Sequence, residues 1–386
     1  MKTLPTSTRR HFLQQAALAG LAGSLAGQTP ARPDRGDAFS FLLLGDLHFD
    51  RMEHHDLDWL KKFKPRDQSQ IENYTRLTRE VTPVLFATLR ETLKELNADA
   101  TTKPSFVLQV GDLVQGLCGS EELAARQNRE AVEFLDQALP NTPFLFTKGN
   151  HDVTGEGAPA AFAKVFHPYL TRQVQSLQAG TETIQSGRYT VEHGGALFCF
   201  FDAYDRESLA WLEAVLAKRT ARHCFVIIHP PVVPYGARST WHLYAREDQR
   251  VQREKLLGLL GQNHAIVLGG HIHKFNVLER TTPGGGRFVQ LAVSSIIKEP
   301  CPDPKDLLSG LAAYTGDQVK IEPRFSPETE AERRAVYDRE RDHVKSFSYA
   351  DLPGYAAIRV DGDLVSADIY TGTTRRLWRT VELVVG

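Results

Sequence analysis

Apolar residues in this chain gather into short runs, and each run stops at a glycine- or histidine-marked polar cluster. Phe39–Leu44 is almost wholly apolar and is followed at once by Gly45-Asp46-Leu47-His48. The same grammar returns at 107–112, 144–152, 225–229 and 266–273. Short runs without period-two alternation predict strands buried on both faces. Between them the spacing becomes helical. Val81, Leu85, Leu89, Leu93 and Leu96 make one face of a helix over 80–96, with Pro83 in its first turn. A second helix is predicted over 121–139. Strand, helix and strand with short connections predict right-handed parallel crossovers. In open α/β sheets, ligands bind beyond the carboxyl ends of the strands. The polar clusters that close the runs are therefore the candidate site.

The rest of the chain is read in the same way. A polar, charge-rich stretch at 49–73 predicts an insertion beside the site, and Glu53-His54-His55-Asp56 reads as its decoration rather than as an extra metal site. A second insertion is expected at 155–187, with one helix near 160–170. Strands follow at 189–192 and 196–201. Asp205 is read as the N-cap of a helix carrying Leu209, Leu212, Val215 and Leu216. The strand at 224–228 ends in His229-Pro230-Pro231, and a third insertion, 232–248, is too irregular for a core element. A helix near 251–260 precedes a strand at 265–268. Beyond it the pattern is rich in strands: 276–280 and 288–292 around Pro283-Gly284-Gly285-Gly286, then 356–360 and 364–370 around Asp361-Gly362, and a last strand near 380–384. A charged helix is expected over 328–343.

The chain has 386 residues, 41% of them hydrophobic and 24% charged, which is the balance of a soluble globular protein with a large core. A net charge of -1 supplies no polycationic field, so nucleic-acid binding is not expected. Thr8-Arg9-Arg10-His11-Phe12-Leu13-Gln14 resembles a twin-arginine export signal. The uncharged segment 16–27 behind it is too short and too mildly apolar to span a bilayer. Residues 1–31 are thus read as a signal peptide that engages the twin-arginine translocation machinery. The mature domain, 38–386, is expected to be periplasmic or otherwise exported, with no stable membrane span. The cysteines are Cys118, Cys199, Cys224 and Cys301, with no Cys-x-x-Cys spacing, which excludes a zinc ribbon or redox motif.

The strand ends collect Asp46, His48, Asp112, Asn150, His151, His229, His271 and His273. This mixed oxygen and imidazole set suits Mn, Fe or Zn and poorly suits Mg. It is large enough for two metals, a recurring device for phosphoester hydrolysis. Asp-x-His, Gly-Asp-x-x, Gly-Asn-His-Asp, His and Gly-His-x-His in this order resemble the calcineurin-like metallophosphoesterase superfamily. That resemblance implies an α/β fold, a four-layer α/β/β/α sandwich of two facing mixed sheets flanked by helices. It implies two divalent or trivalent ions, one on Asp46, His48 and His273, the other on Asn150, His229 and His271, with Asp112 bridging. It implies attack on a phosphoester by a hydroxide between the metals. His151 would not bind metal but would stabilise the transition state or protonate the leaving oxygen, oriented by Asp152.

Departures from the family narrow the class. The run 111–116 lacks the Asp and Arg of the protein Ser/Thr phosphatases, and Gln115 stands where purple acid phosphatases carry a Tyr ligand. The signature is closer to the bacterial cyclic-nucleotide phosphodiesterase-like branch. The expected activity is hydrolysis of a phosphodiester by an exported enzyme. The alternatives are a phosphomonoesterase or nucleotidase and a metal-binding scaffold without turnover. Arg238, Trp241 and Tyr244, in the segment behind His229, are expected either to contact substrate or to pack the insertion onto the sandwich.

Overall fold

In a computed structural model the strand β1 (Phe39–Leu44) lies at the middle of a six-stranded sheet. The structure describes residues 38–98, 104–178, 182–236, 242–296, 298, 303–317 and 329–383. β1 pairs in parallel with β2 (Pro104–Gln109), which pairs in parallel with β3 (Phe144–Phe146). On its other side β1 runs antiparallel to the late strand β12 (Gly354–Asp361). β13 (Leu364–Thr371) and β14 (Leu377–Glu382) extend that edge, and β12 and β13 form the hairpin expected around Asp361-Gly362.

The second sheet has eight strands. β4 (Tyr189–His193), β5 (Ala196–Phe201), β6 (His223–Ile228), β7 (Ile266–Gly269), β8 (Phe275–Thr281) and β9 (Arg287–Ala292) follow the predicted positions. β5, β6, β7 and β9 are mutually parallel, and β8 returns antiparallel to β9. β10 (Leu307–Ser309) and β11 (Val344–Ala350) complete the edge beyond β8 and were not expected from the sequence. Their residues are half exposed and lack a sustained apolar run.

The two sheets face one another across an aromatic layer. Phe41 stacks on Phe106 at 5.0 Å, Phe198 stacks on Phe225 at 4.7 Å, and Phe41 meets both of the latter edge-on. Alternation along a strand sends successive side chains to opposite faces. Phe198, Phe200, Phe225 and Ile227 thus join the core between the sheets, while Leu197, Cys199, Cys224 and Val226 join a second core beneath the outer helices. Helices α2 (Gln68–Glu80), α3 (Thr82–Leu96), α4 (Glu121–Ala138) and α5 (Ala158–Leu177) contribute to the first core. α6 (Ser208–Leu216), α7 (Arg250–Gln262) and α8 (Glu330–Arg341) contribute to the second. This is the predicted sandwich of two mixed sheets flanked by helices.

Local readings are corrected at three places. The stretch read as a polar insertion is helical, in α1 (Leu57–Phe63) and α2, where Ile71, Tyr74 and Leu77 give α2 a buried face. α5 runs well past the expected end because Val174 continues its buried face beyond Pro168. Asp205 is not the N-cap of α6. That position is Glu207, whose N–H donates to Asp205 Oδ1 at 3.0 Å. The three cysteines within the described residues, Cys118, Cys199 and Cys224, are free and buried. Cys301 and the predicted signal peptide lie outside those residues.

Candidate metal centre

Five loops at the carboxyl ends of β1, β2, β3, β6 and β7 deliver the side chains singled out in the sequence. Asp46 and His48 follow β1, Asp112 follows β2, Asn150 and His151 follow β3, His229 follows β6, and His271 and His273 follow β7. Four of these residues have left-handed backbones, His48 at φ 47, Asp112 at φ 55, His271 at φ 68 and His273 at φ 59. Such conformations are costly for non-glycine residues and persist where the surroundings enforce them. Close loop crossings do so here. A Cβ on Gly45 would stand 1.9 Å from the Ser294 carbonyl oxygen.

The side chains form two clusters. In the first, His273 Nε2 lies 2.8 Å from Asp46 Oδ2 and 3.2 Å from His48 Nε2. In the second, His229 Nε2 lies 3.1 Å from Asp112 Oδ2, 3.2 Å from Asn150 Oδ1 and 3.2 Å from His271 Nδ1. Asp112 joins them, with Oδ2 also 3.8 Å from His48 Nε2. Ligand atoms of Asp46, His48 and His273, and those of Asp112, His229 and His271, lie within 4.8 Å of one another in each set.

Hydrogen-bond bookkeeping tests whether the clusters fit a cation. His229 Nδ1 is 2.8 Å from the Val110 carbonyl oxygen, which can only accept, so the proton sits on Nδ1. Nε2 then presents a lone pair among oxygen and nitrogen atoms that present theirs. Positive charge at that spot resolves the conflict. Burial opposes a second proton on His229, yet Asp112 outweighs it and pushes the imidazole up to about 9. Burial likewise disfavours charge on Asp112, but His229, His151 and His48 hold its carboxyl well below the usual range. His48 goes the other way: burial, with His151 beside it, keeps it well below its ordinary value and hence neutral. A carboxylate and lone-pair imidazoles arranged around a demand for positive charge are what a metal ion needs.

His151 faces the same hollow. Its ring stands edge-on to that of His48 at 4.6 Å, and its candidate ligand atom lies within 4.8 Å of those of His48 and Asp112. Its backbone N–H donates to Asp112 Oδ1 at 2.8 Å. Nδ1 donates to the Gln115 carbonyl at 2.8 Å, which leaves Nε2 available. The orienting partner of His151 is therefore this carbonyl and not Asp152, as the sequence had suggested. The buried Asp152 carboxylate instead accepts from the backbone N–H groups of Gly149 at 2.8 Å, Asp112 at 3.0 Å and Val114 at 3.1 Å. It ties the β2 and β3 loops together. Burial, reinforced by Asp112, pushes its pKa up to about 7.

Several supporting residues escaped sequence reasoning. Tyr74 stacks on His48 at 4.3 Å. Gln109 Nε2 donates to the Gly45 carbonyl at 3.2 Å, and its Oε1 accepts from Gly111 N–H at 3.0 Å. Ser294 Oγ donates to the His273 carbonyl at 2.7 Å, and Ser295 Oγ to that of Asp46 at 3.0 Å. No local pattern marks them. Tyr204 differs, because it follows the end of β5 and the strand-end rule applied there would have found it.

Tyr204 and Tyr244 border a cavity of about 510 Å³ that opens on Asn150 and His271. Of the substrate residues expected from the sequence, the structure brings Tyr244 to the site. Arg238 and Trp241 lie outside the described residues. The histidines of the 49–73 stretch are spent on packing. His55 Nε2 lies 2.7 Å from Asp50 Oδ1, His54 Nε2 lies 3.0 Å from Glu130, and Asp56 caps α1.

No curated protein matches the chain. Among solved structures it is similar to the purple acid phosphatase PPD1 from yellow lupin (Lupinus luteus) seeds, at 12% identity and a TM-score of 0.50, over 89% of this chain and 53% of that one. The chain thus spans about half the length of the lupin protein, and at this identity the likeness speaks for the fold alone. It is also similar to PhoD, at 13% identity and a TM-score of 0.49 over 92% and 74% of the two chains. A dimetal phosphatase from Danio rerio matches at 12% identity and a TM-score of 0.47 over 90% and 99%. Residues 39–275, more than half of the chain, match the family model of the calcineurin-like phosphoesterases, a family that uses a dinuclear metal centre. The chain belongs to the calcineurin-like phosphoesterase family.

Proposed function

We propose that this chain is an exported phosphodiesterase of the bacterial cyclic-nucleotide phosphodiesterase-like branch. Asp46, His48 and His273 would hold one metal ion and Asn150, His229 and His271 the other, with Asp112 within reach of both clusters. Mn, Fe or Zn suits these donors. The observation that carries the reading is the pair of donor clusters joined through Asp112 and bordered by a cavity on the Asn150 and His271 side. Metal ions held there would supply Lewis acidity toward the phosphoryl group and would lower the pKa of an attacking water. His151, its Nδ1 engaged by Gln115, presents Nε2 to protonate the leaving oxygen. Asp152 fixes the two loops that carry Asp112 and Asn150. Tyr244, with Arg238 and Trp241 from the same segment, contacts the substrate.

The diester preference is supported by the cavity. A phosphoryl group at the centre leaves that space for an ester substituent, and Tyr204, Leu243 and Tyr244 line it. The metal-loaded protein is expected to hydrolyse bis-p-nitrophenyl phosphate with a higher kcat/KM than p-nitrophenyl phosphate. The opposite order would assign it to monoesters. Export is supported by the Arg9-Arg10 motif. Among the described residues no helix is long and apolar enough to cross a membrane. Replacing Arg9 and Arg10 together by Lys should hold the precursor in the cytoplasm. Normal recovery of that variant in the periplasmic fraction would refute twin-arginine export.

A further inference from the structure

A second cavity, of about 630 Å³, lies between α7, α8 and the segment that precedes α7. It does not contain the candidate ligands, yet it shares His242, Tyr244, Ala245 and Arg246 with the substrate cavity. Its lining includes five arginines against three glutamates. At its floor Glu340 sits between two guanidinium groups. Arg280 Nε donates to Glu340 Oε2 at 2.7 Å, and Arg253 Nη2 donates to Glu340 Oε1. All three are shielded, with Arg253 14% exposed, Glu340 8% and Arg280 5%. One carboxylate therefore answers two buried positive charges. An unbalanced buried charge is costly, and a second anion in the cavity would balance it. Guanidinium forks match the oxygens of tetrahedral oxyanions. At the rim, Arg250 is paired with Glu254 and Arg246 with Asp248, but Arg339 makes no ion pair among the described residues.

Arg253 also reaches the active-site side. Its Nη1 donates to the Val232 carbonyl at 2.9 Å and to the Leu243 carbonyl at 3.2 Å. Val232 stands three residues after His229, and Leu243 directly precedes Tyr244. One guanidinium thus links the cavity floor to Val232 and to Leu243, and Leu243 lines the substrate cavity.

We propose that this second cavity is a binding site for a small tetrahedral oxyanion of two negative charges, and that its occupancy tunes the substrate cavity through Arg253. Binding there does not depend on the catalytic reading, whereas the kinetic consequence rests on it.

The test compares the metal-loaded wild type with Arg339→Glu and Arg341→Glu, titrated with sulfate in a calorimeter. Both residues are exposed in the last turn of α8 and both substitutions change the charge equally, but only Arg339 lines the cavity. Sulfate at the metal centre is common to all three proteins and cancels in the comparison. Arg339→Glu is expected to weaken one sulfate site about tenfold or more, the loss of a charge-assisted contact, while Arg341→Glu retains it. In parallel, sulfate competing at the metal centre should move the KM for bis-p-nitrophenyl phosphate in all three proteins, with a further shift, equal in the wild type and in Arg341→Glu, that is missing in Arg339→Glu; equal shifts in all three would overturn the coupling. Equal affinity in all three proteins, equal weakening in both variants, or no sulfate binding by the wild type would overturn the site. Sulfate binding without phosphoester turnover would overturn the catalytic reading and leave the site standing.

Discussion

His151 and the metal-facing residues share one hollow but do different work, and their removal separates them. Loss of Asp112 takes away the carboxylate within reach of both clusters, so metal and activity should fall together. Loss of the His151 imidazole leaves the proposed ligands in place. Its Nδ1 bond to Gln115 and free Nε2 suit proton donation, which contributes about 10²–10⁴-fold when the leaving group is a poor one. His151→Ala is therefore expected to keep both metals and to lose activity by about that factor on alkyl esters. A nitrophenolate is already a stable anion, so the loss on nitrophenyl esters should be far smaller. Metal analysis with paired kinetics on the two substrate types checks this. Equal losses would show that His151 acts on the phosphoryl oxygens and not on the leaving group.

At the scale of elements, the strands set the positions of the loops and the loops set the angles. Asp112 illustrates the division. β2 brings it to the site, but its left-handed backbone is held by neighbours: Asp152 accepts its N–H, and its own carbonyl accepts from Leu47 and His48 N–H groups at 3.0 and 2.9 Å. The β3 loop passes so closely that a Cβ on Gly149 would stand 2.1 Å from Asp112 nitrogen and 2.2 Å from its Oδ1. No side-chain rotation relieves contact with backbone. Gly149→Ala is thus expected to displace Asp112, to weaken metal affinity about 10–100-fold as losses of ligand-supporting contacts do, and to lower activity in proportion. Metal titration of the folded variant measures it. Unchanged affinity would show that the two loops move apart freely.

Across the whole molecule, the helical layer over the second sheet is locked by the Arg253, Glu340 and Arg280 group, which joins α7, α8 and β8. Burial works against charge on Glu340, but Arg253 and Arg280 outweigh it and bring its pKa from 4.5 down to about 2. A depressed carboxyl stabilises the fold above its unfolded pKa. That stability disappears as the pH falls from about 4.5 to about 2. The shift corresponds to about 3 kcal/mol. Denaturant unfolding should therefore show the wild type losing stability through that window. Glu340→Gln should be less stable at pH 7, by about 3–5 kcal/mol for a broken buried pair, and less sensitive to acid. Parallel acid profiles for the two proteins would mean that the ion group adds nothing to stability.

The sequence by itself determined which strands end at the site and which side chains they deliver. Strand burial is written in local apolar runs, and each candidate ligand follows its run within a few residues, so no long-range information was needed to find Asp46, Asp112, Asn150 or His229. The same locality explains the readings that went astray. The few apolar positions of α2, Ile71, Tyr74 and Leu77, were hidden within a polar, charge-rich stretch, and adjacency in the chain suggested that Asp152 serves His151, when its carboxylate turns to the backbone of the loops. Tertiary structure alone decided contacts between distant positions: His48 against His273, 225 residues apart, Ser295 on the Asp46 carbonyl, 249 apart, and Arg253 on Glu340, 87 apart. It also decided that Tyr204 and Tyr244 border one cavity. Side chains so far apart leave no period or spacing in the chain. They meet only because two sheets stack, and that stacking is driven by apolar burial, which is indifferent to which polar groups it brings together.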